Sequence, residues 1–222
     1  MEILFFLLIL IFSVVLHETA HGYAANYLGD PTARLAGRLT LNPIPHIDPF
    51  GSVILPGLLL FSGSPFLFGW AKPVPYNPYN LRNQRWGEAF VAGAGPLVNI
   101  FLAFIFGLII RSREVLGLED GFVVLAVAVV VINVVLAIVN LIPIPPIDGS
   151  KILKSLLPFR FAHIYQSLEQ MTYRLGSLGL IAVLLLIIFV FGGLISGIIF
   201  FFTSLFTGLA PIEIGSYLAQ VL

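Results

Sequence analysis

The chain has 222 residues, 59 % of them hydrophobic and only 10 % charged, with a mean hydropathy of +1.03. Soluble domains carry about a quarter charged residues, so this composition indicates a membrane protein. Zero formal net charge and no long basic block argue against a nucleic-acid partner, and the lack of cysteine excludes disulfides, thiolate metal sites and thiol nucleophiles.

Residues 2–28 form the first predicted span. Their start, "MEILFF", lacks the basic flank of a secretory signal, and no small-residue cleavage pattern precedes "HETAH", so the run is read as retained. The polar residues His17, Glu18 and His21 stand at its apolar end, where ionisable groups are costly and usually functional. Residues 31–46 alternate through "RLAGRLTL" enough to predict a small β-hairpin. Residues 49–70 are apolar but interrupted by prolines and glycines. They read as a re-entrant, partly unwound element, which a membrane tolerates only where protein or a wet cavity covers it. Residues 71–87, "AKPVPYNPYNLRNQRWG", read as a surface loop.

Residues 88–110 and 121–142 are the next predicted spans. In the first, Gly93 and Gly95 permit close helix packing, and Asn99 reads as an interhelical contact in preference to a substrate-backbone contact. In the second, Asn133 and Asn140 lie seven apart and give one face a polar seam. Pro143, Pro145 and Pro146 must end that helix. Asp148 then sits on an extended segment, free to turn back toward the bundle, with Gly149 permitting the turn. Residues 151–170 mix basic and apolar positions, as an interfacial helix broken by Pro158 would. Residues 177–209 are too long for one untilted crossing, and read either as one broken helix or as a tight pair divided near Gly192 and Gly193. The fold class expected is an all-α polytopic membrane protein in a single domain.

Basic residues give an orientation. If 49–70 does not cross, nine of the eleven Lys and Arg residues fall on one side and only Arg111 and Arg113 on the other; if it crosses, the split is seven to four. The positive-inside rule prefers the first and makes the nine-residue side cytoplasmic, with the N-terminus facing away from it. The fourteen residues Ile3 to Leu16 rise about 21 Å along a helix, against a hydrocarbon core of about 30 Å. His17 is therefore expected inside the membrane, nearer its cytoplasmic face.

Histidines four apart share a helix face, so His17 and His21 can offer two imidazoles to one metal ion, with Glu18 in reach of its water. This is the H-E-x-x-H arrangement of zinc hydrolases, in which the glutamate takes a proton from the attacking water. A third ligand must be His46, His163 or a carboxylate, and Asp148 is the most suitable. Topology agrees: only if 49–70 does not cross do the histidines and Asp148 lie toward the same face. His46, near Asp48, reads as a loop or capping residue, and His163 as interfacial.

"HETAH", "AGAGPLVN" and "NLIPIPPIDG" together resemble the site-2 protease family of intramembrane zinc metalloproteases, in its short form without a PDZ-type insertion. The resemblance covers most of residues 8–155, with Ile147 replacing the family's usual leucine. It implies a three-helix catalytic core, here 2–28, 88–110 and 121–142. It also implies one zinc per chain held by His17, His21 and Asp148, with Glu18 as catalytic glutamate. The substrate class implied is membrane proteins cut in or near a transmembrane helix. Asn140 matches positions that approach the substrate carbonyl, so an oxyanion-stabilising role is expected beside a purely structural one. The expected partners are such a substrate and the lipid bilayer, and the expected location is the cell membrane. Two competing readings are a metal transporter or sensor built on the same His and Asp residues, and a zinc hydrolase of lipids.

Overall fold

The computed structural model describes residues 2–62 and 69–220. The α-helices in chain order are α1 (Glu2–Tyr27), α2 (Thr32–Leu35), α3 (Leu55–Phe61), α4 (Gln84–Arg111), α5 (Arg113–Leu116), α6 (Asp120–Asn140), α7 (Asp148–Leu156), α8 (Phe159–Leu175), α9 (Ser177–Thr207) and α10 (Pro211–Leu218). Among the described residues there is no strand. Four helices, α1, α4, α6 and α9, are long and apolar enough to cross a membrane, and the protein is an integral, multi-pass membrane protein.

At the centre of the bundle, α4 packs on α1, α6, α7 and α9. The side chains that meet fix the directions. Residues late in α1 touch residues early in α4, and Asn99 of α4 bonds Asn133 late in α6. Helix α4 therefore runs antiparallel to both α1 and α6. At its far end, Arg111 donates to the carbonyls of Leu205 and Phe206 at the end of α9, so α9 runs parallel to α4. The apolar core lies between α4 and α6, where Ala103, Ile110, Val127 and Val130 are buried, and Ile214 of α10 closes its far end.

Three expectations change. The β-hairpin over 31–46 does not form. Asp30 accepts from the backbone N–H and hydroxyl of Thr32 and so starts the helical turn α2. Pro43 opens a 3₁₀ turn, Ile44–His46. Between them, the Thr40 carbonyl that a ladder would use accepts from Thr19 Oγ1 and His46 Nε2. The re-entrant, unwound reading of 49–70 also changes. A π-helical turn, Pro49–Ile54, runs directly into α3. Pro49 stands in its first turn, where a missing N–H costs little, and Asp48 caps the start by accepting from the N–H groups of Phe50 and Gly51. Trp70 then returns to that start, donating its N–H to the Gly51 carbonyl and accepting from Ser52 Oγ; residues 63–68 lie outside the described residues. Third, 177–209 resolves to one helix, α9, continuous through Gly192 and Gly193.

Candidate metal centre

His17 and His21 leave α1 on the side that faces α4. Their Nε2 atoms lie 3.0 Å apart, and the rings meet edge to face with centroids 4.6 Å apart. Asp148, the first residue of α7, brings Oδ2 to 3.3 Å from His17 Nε2 and 3.1 Å from His21 Nε2. One ligand atom from each residue lies within 4.8 Å of the others. Residues 131 apart in sequence thus share one point.

Two glycines make room for this. A Cβ at Gly95 would sit 2.5 Å from His17 Nε2 and 2.6 Å from His21 Nε2, so α4 can approach α1 only without a side chain there. Gly93 has open space around its Cβ position and imposes no such limit. At Gly149 a Cβ would strike the carbonyl groups of Leu141 and Ile142. The sequence assigned Gly149 to a turn; the structure assigns it to close backbone approach, since its φ is not positive.

The protons on the imidazoles are placed by their outer partners. His17 Nδ1 meets Asn99 Oδ1 at 2.5 Å, and His21 Nδ1 meets the Val91 carbonyl at 2.7 Å. Both partners accept, so each Nδ1 carries the hydrogen and each Nε2 presents a lone pair. Burial penalises a charge on Asp148. The Lys151 ammonium, 3.4 Å from its Oδ1, favours that charge. Three electron-pair donors aimed at one point are stable together only around a cation. Two imidazoles and a carboxylate form a donor set that suits zinc, so these residues fit the metal expected from the sequence.

Glu18 lies half-buried beside this cluster, and its Oε2 accepts the Val74 N–H at 2.9 Å. The stretch read as a surface loop therefore borders the site. Residues 69–77 are irregular, and their free N–H groups are tied down in turn: Lys72 to the His46 carbonyl, Val74 to Glu18 and Asn77 to Asp30. Pro73 and Pro75 have no N–H, which leaves Val74 as the donor between them. That alternation was the available signal, and a composition-based loop reading missed it. Glu18, His21, Val74, Tyr76, Asp148 and Lys151 line a cavity of about 230 Å³.

Asp30 anchors the far end of this segment. Burial pushes its pKa up, but hydrogen bonds from Thr32, Asn80 and Asn77 outweigh it and hold the carboxyl below its ordinary value. Helix α7 is fixed just as firmly. Lys154 Nζ donates to Glu88 Oε1 of α4 at 2.9 Å and to Glu169 Oε2 of α8 at 3.2 Å. Burial alone would lower the Lys154 pKa, but these carboxylates raise it. Arg85 of α4 meanwhile donates to the Ser155 and Leu157 carbonyls that end α7.

The remaining candidates make their hydrogen bonds outside the cluster. Asn140 donates its Nδ2 to the Leu136 carbonyl of its own helix. His46 is buried against Thr40, and Asp48 is a helix cap. His163 lies on α8 beside a second cavity, with Arg85, Glu88 and Lys154.

A membrane bundle whose helices bring two histidines and an aspartate to one point, with a glutamate in the adjoining cavity, has the form of a metallohydrolase. The sequence pattern of peptidase family M50 matches residues 116–186, which include Asp148. The chain is 40 % identical over 159 residues to "Putative zinc metalloprotease YwhC" of Bacillus subtilis, covering 67 % of each chain. It is also 31 % identical over 145 residues to Rip2 of Mycolicibacterium smegmatis and 33 % identical over 138 residues to Rip2 of Mycobacterium tuberculosis. It spans 62 % of itself and 51 % of each of those two proteins, which carry the same zinc metalloprotease description. No solved structure matches. The chain belongs to peptidase family M50, the site-2 proteases.

Proposed function

We propose that the protein is an intramembrane zinc endopeptidase that cuts membrane proteins in or beside a transmembrane helix. The observation that carries this reading is the convergence of His17, His21 and Asp148 on one point, with Glu18, His21 and Asp148 lining a cavity beside it. His17, His21 and Asp148 hold one zinc ion per chain. When bound, such a metal supplies Lewis acidity that polarises a carbonyl and acidifies water. Glu18 accepts the proton of the attacking water and delivers it to the leaving amine. To do so its Oε2 exchanges the Val74 N–H for water. Asn140 hydrogen-bonds the developing oxyanion after releasing the Leu136 carbonyl. The site opens toward the cytoplasm, where most of the basic residues lie.

The test is purified protein with a membrane-protein substrate. Glu18→Gln is expected to keep zinc and lose cleavage, while His17→Ala and Asp148→Ala lose both. Cleavage retained by Glu18→Gln would remove the general-base role. Zinc retained by the other two variants would remove the ligand set. Zinc binding without any peptide product would favour a transporter or sensor.

A further inference from the structure

Every lone pair at the metal centre is worth only as much as the tautomer that exposes it, and the two histidines are served differently. His21 rests its Nδ1 directly on a backbone carbonyl, Val91, which can only accept. His17 rests on a side-chain amide, which could present either its oxygen or its nitrogen. We propose that Asn99 and Asn133 form a directional hydrogen-bond relay that fixes the His17 proton on Nδ1 and so keeps its Nε2 lone pair turned toward His21 and Asp148. The proposal rests on the metal-centre reading above and makes Asn99 and Asn133 positioning residues.

The direction starts at Val129, one turn before Asn133 on α6. Its carbonyl is an acceptor, so the Asn133 atom 2.9 Å away must be the nitrogen Nδ2, which also reaches Ser13 Oγ at 2.9 Å. Asn133 Oδ1 is thereby left for Asn99, whose Nδ2 donates to it at 2.8 Å. Asn99 Oδ1 is then the atom that remains for His17 Nδ1. Each amide has one orientation that avoids placing like groups together. Flipping Asn133 alone would set its oxygen against the Val129 carbonyl, and flipping Asn99 alone would set the two amide oxygens face to face.

Burial enforces the choice. Asn99 and Asn133 are fully buried, and His17 and Ser13 are each 4 % exposed. No bulk water reaches them to rescue a wrong orientation, and an unsatisfied polar group in such surroundings is costly. The relay crosses three helices, so packing of α1, α4 and α6 and readiness of the histidine are one event.

The test needs zinc affinity, by chelator competition on purified full-length protein, and the histidine tautomer, by ¹⁵N NMR of the metal-free protein near about pH 8, where imidazole is normally neutral. With four histidines in the chain, a His17→Ala reference assigns the signal. Wild-type protein is expected to show His17 protonated on Nδ1. Asn99→Leu and Asn133→Leu should each lose that tautomer and bind zinc about 10–100-fold more weakly. The double variant should bind no more weakly than Asn99→Leu alone, because both act through one hydrogen bond. Ser13→Ala should change neither readout, since Val129 still orients Asn133. Folded Leu variants with unchanged tautomer and affinity would overturn the relay. So would wild-type His17 protonated on Nε2, a result that needs no variant to fold. If His17→Ala leaves zinc affinity intact, the metal-centre reading fails instead, while the tautomer measurement still decides the relay.

Discussion

At position 95 α4 offers His17 and His21 only a hydrogen, and the space a methyl would need is already occupied by both Nε2 atoms. Gly95→Ala must therefore push α4 and α1 apart or rotate the imidazoles away from Asp148. Either response is expected to weaken zinc binding by at least about 100-fold, beyond the loss of an outer partner, measured by chelator competition. Gly93→Ala, two residues away with open space around its Cβ position, is the matched control and should bind and cleave like wild type. The sequence treated these glycines alike, because spacing says that a helix packs closely but not which turn faces what. His17, Glu18, His21 and Asp148 were legible because their chemistry is local and their cost in a membrane is high. Val74 was harder to read for the opposite reason: it acts through its backbone N–H, and only the prolines on either side mark it as the donor.

Among the elements, the long helices were legible from apolar length, and Pro143 and Pro158 marked real ends. The 31–46 hairpin failed because alternation is a weak signal when side chains from α1 and the 3₁₀ turn claim the carbonyl a partner strand would need. Helix α7 is held by charge rather than by apolar area, and this makes a prediction. Lys154→Met leaves Glu88 and Glu169 facing each other without their shared cation, and should destabilise the protein by about 3 kcal/mol in thermal or denaturant unfolding. Adding Glu88→Gln and Glu169→Gln should restore most of that loss, because the penalty lies in stranded charge. Asp30 gives a pH dependence. Its folded pKa lies below the unfolded value of about 3.9, so its contribution is complete above that pH and disappears as pH falls through the folded value. Asp30→Asn should therefore lower the melting temperature at neutral pH, with the gap to wild type closing in strong acid.

For the whole molecule, directions of packing fix which ends lie together. The metal centre, the 69–83 segment and α7 occupy one end; Arg111, α5 and the close of α9 occupy the other. Because the chain contains no cysteine, single substitutions can report this directly. Tyr79→Cys and Val115→Cys, both at strongly exposed positions, should be labelled by a membrane-impermeant thiol reagent from opposite faces of sealed vesicles. Labelling from the same face would contradict the four-crossing arrangement. At 31 residues α9 is about 46 Å long, well beyond a hydrocarbon core of about 30 Å, so it tilts or projects.

The contact between Val74 and Glu18 has a consequence for self-digestion. The Pro73–Val74 peptide lies one hydrogen bond from the group proposed to assist scission, yet it is trans, as are all the described bonds except Pro145–Pro146. In a trans peptide the carbonyl points opposite to the N–H. The Pro73 carbonyl oxygen, which a metal would have to polarise, is thus turned away from Glu18, and the protein can hold a stretch of its own backbone at this site without cutting it.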